Sequence, residues 1–288
     1  MKLHFRLLIV LVLMVIYSGY AQKAQSGNHP FKVYGFIVYG GYVQGITPVN
    51  ASYKDLQVYL SRSGIQKYDL IYENKLLDYP NGDKANGVVN QSNIDMQAAL
   101  ALHQPGVLVS LDLEGWKRFD TLQTPARMIE AINAFRKTNK VSKIGLYATV
   151  PQNTYAWSPT ISKYDKVNKS YSAVAAAVDY FSPSLYNYDA DTVNWNKVAA
   201  YNIDACKKYN FPGKQILPYI TPEVDQKGVK RMLTYDEMMN HLQTLYSLGA
   251  QGCLIWTSSG MRDANGNKIY IDVNDGWLKA VRDFMASH

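Results

Sequence analysis

Seven apolar, β-rich runs alternate with helix-patterned segments along this chain, and that alternation restricts the fold more than any other feature. The runs cover residues 32–39, 67–73, 107–114, 143–150, 178–186, 215–222 and 252–258. Strands that are nearly apolar throughout, with helices between them, argue for a parallel sheet covered on both faces. Thr124 followed by Pro125 and apolar residues at helical spacing predicts a helix capped by Thr124. A second helix is predicted from Thr234 to Leu248, ending at Gly249, and a closing one over 274–285. Glu114, Tyr147, Tyr186, Glu223 and Trp256 all fall at or just past the C-terminal ends of different strands. A barrel collects its functional rim from many strands, whereas an open sheet collects it at one switch point. The expected fold is therefore α/β, a distorted (β/α) barrel of TIM type with seven clear strands. No linker, charge block or repeat marks a boundary, so one domain is expected over residues 22–288.

Residues 1–21 have a basic start (Lys2, Arg6), an apolar run from Leu7 to Ile16 and small residues at Gly19 and Ala21. This is the pattern of a secretory signal peptide cleaved after Ala21, too short for a stable membrane span. The expectation is a secreted or periplasmic protein without membrane insertion. Loss of Lys2 and Arg6 lowers the net charge from +7 to +5, which weakly favours acidic glycans. No basic stripe with interleaved aromatics suggests nucleic acid. Cys206 and Cys253 are too few for a disulfide framework and read as core thiols. The five histidines lack metal-ligand spacing, so neither a metal nor another cofactor is expected. A Gly-x-Ser-x-Gly elbow and a phosphate loop are both missing.

The chemistry concentrates in the run from Val107 to Trp116. Asp112 and Glu114 stand two apart at its end, so they project from one face with Cα atoms roughly 6–7 Å apart. Two acids this close are costly to ionise together, and one tends to keep a proton near neutral pH. A protonated acid beside a charged one suits a glycosidase, which must protonate a leaving oxygen. The competing reading is a strand-end Asp that caps the next loop.

The ordered strand ends resemble those of the hyaluronidases, glycoside hydrolase family 56. The resemblance is carried by Leu111-Asp112-Leu113-Glu114-Gly115-Trp116, by Gly145-Leu146-Tyr147 before Pro151, and by Pro183-Ser184-Leu185-Tyr186. Leu217-Pro218-Tyr219 and Ile255-Trp256-Thr257-Ser258-Ser259 complete the series. Gly115 stands where the family usually has a second acid, the family's paired cysteines are absent, and Gln152 to Tyr155 departs from its pattern. These departures bear on the natural substrate more than on the reaction type.

The resemblance implies a retaining, substrate-assisted endo-β-N-acetylhexosaminidase acting on a polysaccharide or oligosaccharide, including acidic glycosaminoglycans. Glu114 would be the general acid/base, and Asp112 would orient the substrate acetamido group and raise the Glu114 pKa. Tyr147 and Tyr186 would position that group and Trp256 would pack beneath the sugar, with Tyr219 in the substrate-binding set. Trp116 and Trp157 suit either outer sugar subsites or packing under loops. Glu223 suits substrate binding or, in preference, loop capping. Asn187, Tyr188 and Asp189 line the cleft or form a turn. Two further readings stay open: a non-catalytic glycan-binding barrel, and a chitin- or N-glycan-directed hydrolase. A covalent mechanism pairing an acid of this strand with Glu223 is a third.

Overall fold

The computed structural model describes residues 29–288 except Asp189, Lys227, Gly228 and Ala264; the signal-peptide pattern lies outside the described residues. The strands that build the barrel are β1 (Lys32–Phe36), β4 (Gln66–Tyr72), β7 (Leu108–Asp112), β8 (Ile144–Leu146), β9 (Tyr180–Phe181), β10 (Gln215–Ile216), β11 (Tyr219–Ile220) and β14 (Gly252–Trp256). Six of them form one parallel sheet in the order β11-β14-β1-β4-β7-β8. Backbone bonds close the ring. Asp179 N donates to Ile144 O at 2.7 Å and Ala148 N to Ser182 O at 3.1 Å, joining β8 to β9. Leu217 N donates to Phe181 O and Tyr219 N to Pro183 O, both at 2.8 Å, joining β9 to the β10–β11 segment. All seven expected runs thus take part, in sequence order around the ring.

Three runs carry less regular strand than their apolar character predicts. The 143–150 run stops at Leu146, because Ala148 turns out of the strand at φ 53° before the cis Val150–Pro151 bond. Pro183 and Pro218 lack an amide donor and thin the ladder in the 178–186 and 215–222 runs. Their carbonyls still accept, Pro218 O from Leu254 N at 2.8 Å.

Two cores result. Inward positions alternate along each strand and bring Tyr34, Tyr68, Leu108, Tyr180, Tyr219 and Leu254 together inside the barrel. Gly145 makes room for this filling, since a Cβ there would lie 2.3 Å from the Tyr180 ring. The larger core lies between the strands and the surrounding helices. Those helices are α1 (Tyr53–Ser61), α2 (Gln91–Leu102), α3 (Gln123–Thr138), α4 (Tyr164–Ser170), α5 (Ser172–Ala177), α6 (Thr192–Lys208), α7 (Tyr235–Ser247) and α8 (Gly276–Ser287). Thr234 caps α7 through a complete capping box with Glu237, and Gly249 follows at φ 85°. Thr124 does not cap α3. Its hydroxyl donates to Lys117 O, and Asp120 Oδ1 accepts the first helical amide, that of Gln123, at 3.0 Å. Cys206 and Cys253 are free and buried, as expected. No described helix is long and apolar enough to cross a membrane.

The remaining strands are short additions that no apolar run announced. They are the hairpin of β2 (Gly41–Gln44) and β3 (Thr47–Asn50), joined by β15 (Tyr270–Ile271), and the hairpin of β12 (Glu223–Gln226) and β13 (Val229–Met232). A two-residue pair, β5 (Leu77–Asp78) and β6 (Val88–Val89), frames the loop after β4.

Candidate active site

The inward face of β7 reads Leu108, Ser110, Asp112, so the period that fills the barrel with Leu108 also delivers Asp112 to its mouth. Tyr72 lies opposite Asp112 in the β4–β7 register. Glu114 follows past the end of the strand and is exposed at the rim. Asp112, Glu114, Tyr72, Tyr147, Tyr186, Tyr219 and Trp256 line one cavity of about 110 Å³ together with Leu70. Glu114 and Tyr147 also wall a neighbouring cavity of about 90 Å³ that Arg118, Asn153 and Tyr155 share. Glu114 therefore stands between two adjoining hollows of one cleft.

The aromatic walls brace each other. Tyr186 stacks on Trp256 with centroids 5.6 Å apart and planes 21° apart, and Trp256 Nε1 donates to Tyr72 Oη at 3.2 Å. Tyr219 meets Tyr147 edge-on at 4.9 Å. A polar chain runs behind them: Tyr147 Oη lies 3.4 Å from Ser184 Oγ, which lies 3.3 Å from Tyr188 Oη, and Asn153 Nδ2 donates to Tyr188 Oη at 2.8 Å. Tyr188 thus belongs to the cleft wall; its neighbour Asp189 lies outside the described residues.

Burial and like charge act together on the acids. The Asp112 pKa is pushed up to about 7, first by burial and then by the charges of Glu114 and Glu73, against the pull of Lys84. Glu114 is raised as well, by burial and by Glu73, but Arg118 and Lys84 hold it back. The spacing of the two acids leaves open which one keeps the proton, and the hyaluronidase resemblance implies a raised Glu114. Asp112 is the more buried of the two and only Lys84 opposes its rise, whereas Arg118 and Lys84 both act on Glu114. Asp112 Oδ1 is buried and has no hydrogen-bond partner.

Tyr147, Tyr186 and Trp256 line the cavity where strand-end placement put them. Tyr219 is fully buried and serves as floor, its hydroxyl without a partner. Trp116 is not a free stacking platform: it is 4% exposed, and its indole N–H donates to Gly87 O at 2.9 Å. Trp157 packs against the outer core with Lys197 Nζ 5.4 Å above its ring. Glu223 lies apart from the cavity. Its Oε1 accepts from Tyr39 Oη at 2.8 Å and from the Ser258 amide at 2.7 Å, tying the loops after β1 and β14. The sequence reading passed over Tyr72, Glu73 and Arg118. Tyr72 and Glu73 end the 67–73 run, and the strand-end rule that found Glu114 applies equally to them. Among the described residues no group of His, Cys, Asp and Glu is placed to hold a metal ion.

No family model and no curated protein matches the sequence. Solved structures do match in fold. Bee venom hyaluronidase aligns with a TM-score of 0.53 at 13% identity, over 79% of this chain and 91% of that one. The same protein in complex with a hyaluronic acid tetramer gives 0.50 at 15% identity, over 79% and 90%. A class V chitinase from Pseudomonas fluorescens Pf-5 gives 0.51 at 13% identity, over 88% and 90%. The chain is thus a β/α barrel of the kind found in hyaluronidase-like glycoside hydrolases, and the resemblance suggested by the strand ends holds at the level of the fold.

Proposed function

We propose that this protein is a glycoside hydrolase that cleaves N-acetylhexosamine glycans with retention and with the substrate's own acetamido group as nucleophile. The carrying observation is the Asp112–Glu114 pair at the mouth of β7, with Asp112 raised to about 7 and its Oδ1 buried without a partner. With Asp112 raised to about 7, the pair still carries a proton on the acid side of neutral pH. An acetamido N–H donates more strongly to an ionised Asp112 than to a protonated one, so substrate binding favours the proton on Glu114. That is the protonation state from which Glu114 can protonate the glycosidic oxygen. As the C–O bond breaks, the acetamido carbonyl oxygen bonds to the anomeric carbon, and charged Asp112 offsets the oxazolinium that forms. Glu114, now ionised, takes a proton from the water that opens the ring, and two inversions leave the configuration retained. This is a recognised exception to the two-carboxylate scheme.

Tyr147 and Tyr186 would hydrogen-bond the acetamido group, and the stacked Tyr186–Trp256 pair would form an apolar wall for its methyl group and the sugar face. The net charge supports acidic glycosaminoglycans among the candidates, and residues 1–21 support export. The test is reducing-end release from a panel of N-acetylhexosamine glycans by the parent protein and by Glu114→Gln. Turnover with retained configuration that falls by about 10³-fold or more in the variant is expected. Saturable glycan binding without turnover in either protein would replace this reading with the glycan-binding barrel.

A further inference from the structure

The acid pair has a third carboxylate beside it. Glu73 directly follows β4 and is 8% exposed. Its Oε2 accepts the Gly115 amide at 2.6 Å, and its Oε1 accepts Lys84 Nζ at 2.9 Å. A Cβ on Gly115 would stand 2.9 Å from that same Oε2 and 3.0 Å from the Lys84 carbonyl oxygen. Glycine at 115 and glutamate at 73 therefore fit as a set. Glu73 is buried while its lysine stays exposed, and burying that carboxylate costs solvation that an apolar side chain would avoid, so packing alone does not account for Glu73. The amide it holds belongs to the residue after Glu114.

On the strength of the glycosidase reading above, we propose that Glu73 is a positioning residue: clamped by Lys84, it fixes the Gly115 turn that aims Glu114 and supplies negative charge beside the acid pair. The other groups facing that pair are Lys84 from the loop after β4, Arg118 from the loop after β7, and the hydroxyls of Tyr72, Tyr79, Tyr147 and Tyr188. Glu73 is the acid of this set, while Lys84 and Arg118 oppose it. Gly115, where the hyaluronidase pattern carries a second acid, is thus served by an acid from the neighbouring strand.

Two variants separate the two halves of this role. Glu73→Gln keeps the shape and drops the charge; Glu73→Asp keeps the charge and withdraws it by one methylene from the Gly115 amide. Carboxyl carbon NMR of Asp112, read without substrate, should show the Gln variant titrating about one pH unit below the parent. The pH profile of turnover should move the same way. In the Asp variant the Asp112 midpoint should stay near the parent's, while kcat falls about tenfold at every pH with KM little changed. If the Gln variant does not fold, the Asp variant decides on its kcat. Folded variants with the parent's midpoint and kcat overturn the proposal. A shifted midpoint in a protein whose parent cleaves no glycan supports the charge role of Glu73 and defeats only the glycosidase reading.

Discussion

Asp112 and Glu223 sit on the same rim of the barrel, and burial raises the pKa of both. They differ in what their oxygens touch. Glu223 accepts the Ser258 amide and the Tyr39 hydroxyl, and those two bonds pull its pKa back down. Asp112 leaves a buried oxygen unmatched and faces two further acids. A buried carboxylate is expensive to leave without partners. Where such a cost persists, the missing partner is expected in the substrate, whereas a satisfied carboxylate is explained by the loops it joins. A raised pKa therefore does not separate a working acid from a structural one on this rim; the hydrogen-bond census does.

Asp112→Asn tests the functional side of this contrast and should have the largest effect among these rim changes. The amide offers the substrate N–H a weaker acceptor and no charge to offset the oxazolinium, so turnover should fall by about 10²-fold or more. The same variant carries a stability signature. Between roughly pH 4 and pH 7 Asp112 holds more proton in the folded chain than in the unfolded one, because it titrates near 7 instead of its ordinary 3.8. Its contribution to stability is therefore lost as pH rises through that window. Asparagine cannot titrate, so the Tm of the variant relative to the parent should rise between about pH 4 and pH 7. An unchanged slope together with unchanged turnover would place Asp112 with Glu223 among the structural acids.

Glu223→Gln probes the other side. The charge that strengthens the bonds from Tyr39 and Ser258 is lost, at a cost of about 1–2 kcal/mol. At roughly 2–4 °C for each kcal/mol in a chain of this size, the change in Tm is measurable. Turnover on glycans should change by no more than a few-fold. A loss comparable with that of Asp112→Asn would revive the covalent scheme that pairs Glu223 with an acid of β7.

The contrast also marks how far the sequence could be read. All seven strand-forming runs and the strand-end placement of Asp112, Glu114, Tyr147, Tyr186 and Trp256 were legible, because apolar runs and a period of two encode them locally. The roles of Asp112 and Glu223 were less so, since satisfaction depends on contacts from residues such as Tyr39, 184 positions away. Glu73 escaped for the same reason: its meaning rests on the Gly115 amide, 42 residues on. Thr124 misled because its sequence neighbourhood has every mark of a cap, while Asp120 sits where it can accept the first helical amide instead. Pro183 and Pro218 broke strands whose apolar character alone promised continuity.

Trp116 offers the smallest test, and it bears on the wall next to Glu114. Its ring is nearly buried and its single polar atom is satisfied by Gly87 O, so its position resembles that of Glu223 rather than that of Asp112. Trp116→Phe removes one buried N–H donor and leaves the Gly87 carbonyl unmatched, which should cost about 1 kcal/mol, plus a cavity term for the lost ring. The partly exposed Tyr155 and Arg118 still line the adjoining hollow, so KM for a long glycan should stay within about twofold of the parent value. A several-fold rise in KM without a change in Tm would mean that the indole stacks on sugar after the loop around Gly87 moves aside. The line between satisfied and unsatisfied groups would then no longer separate structure from function on this side of the cleft.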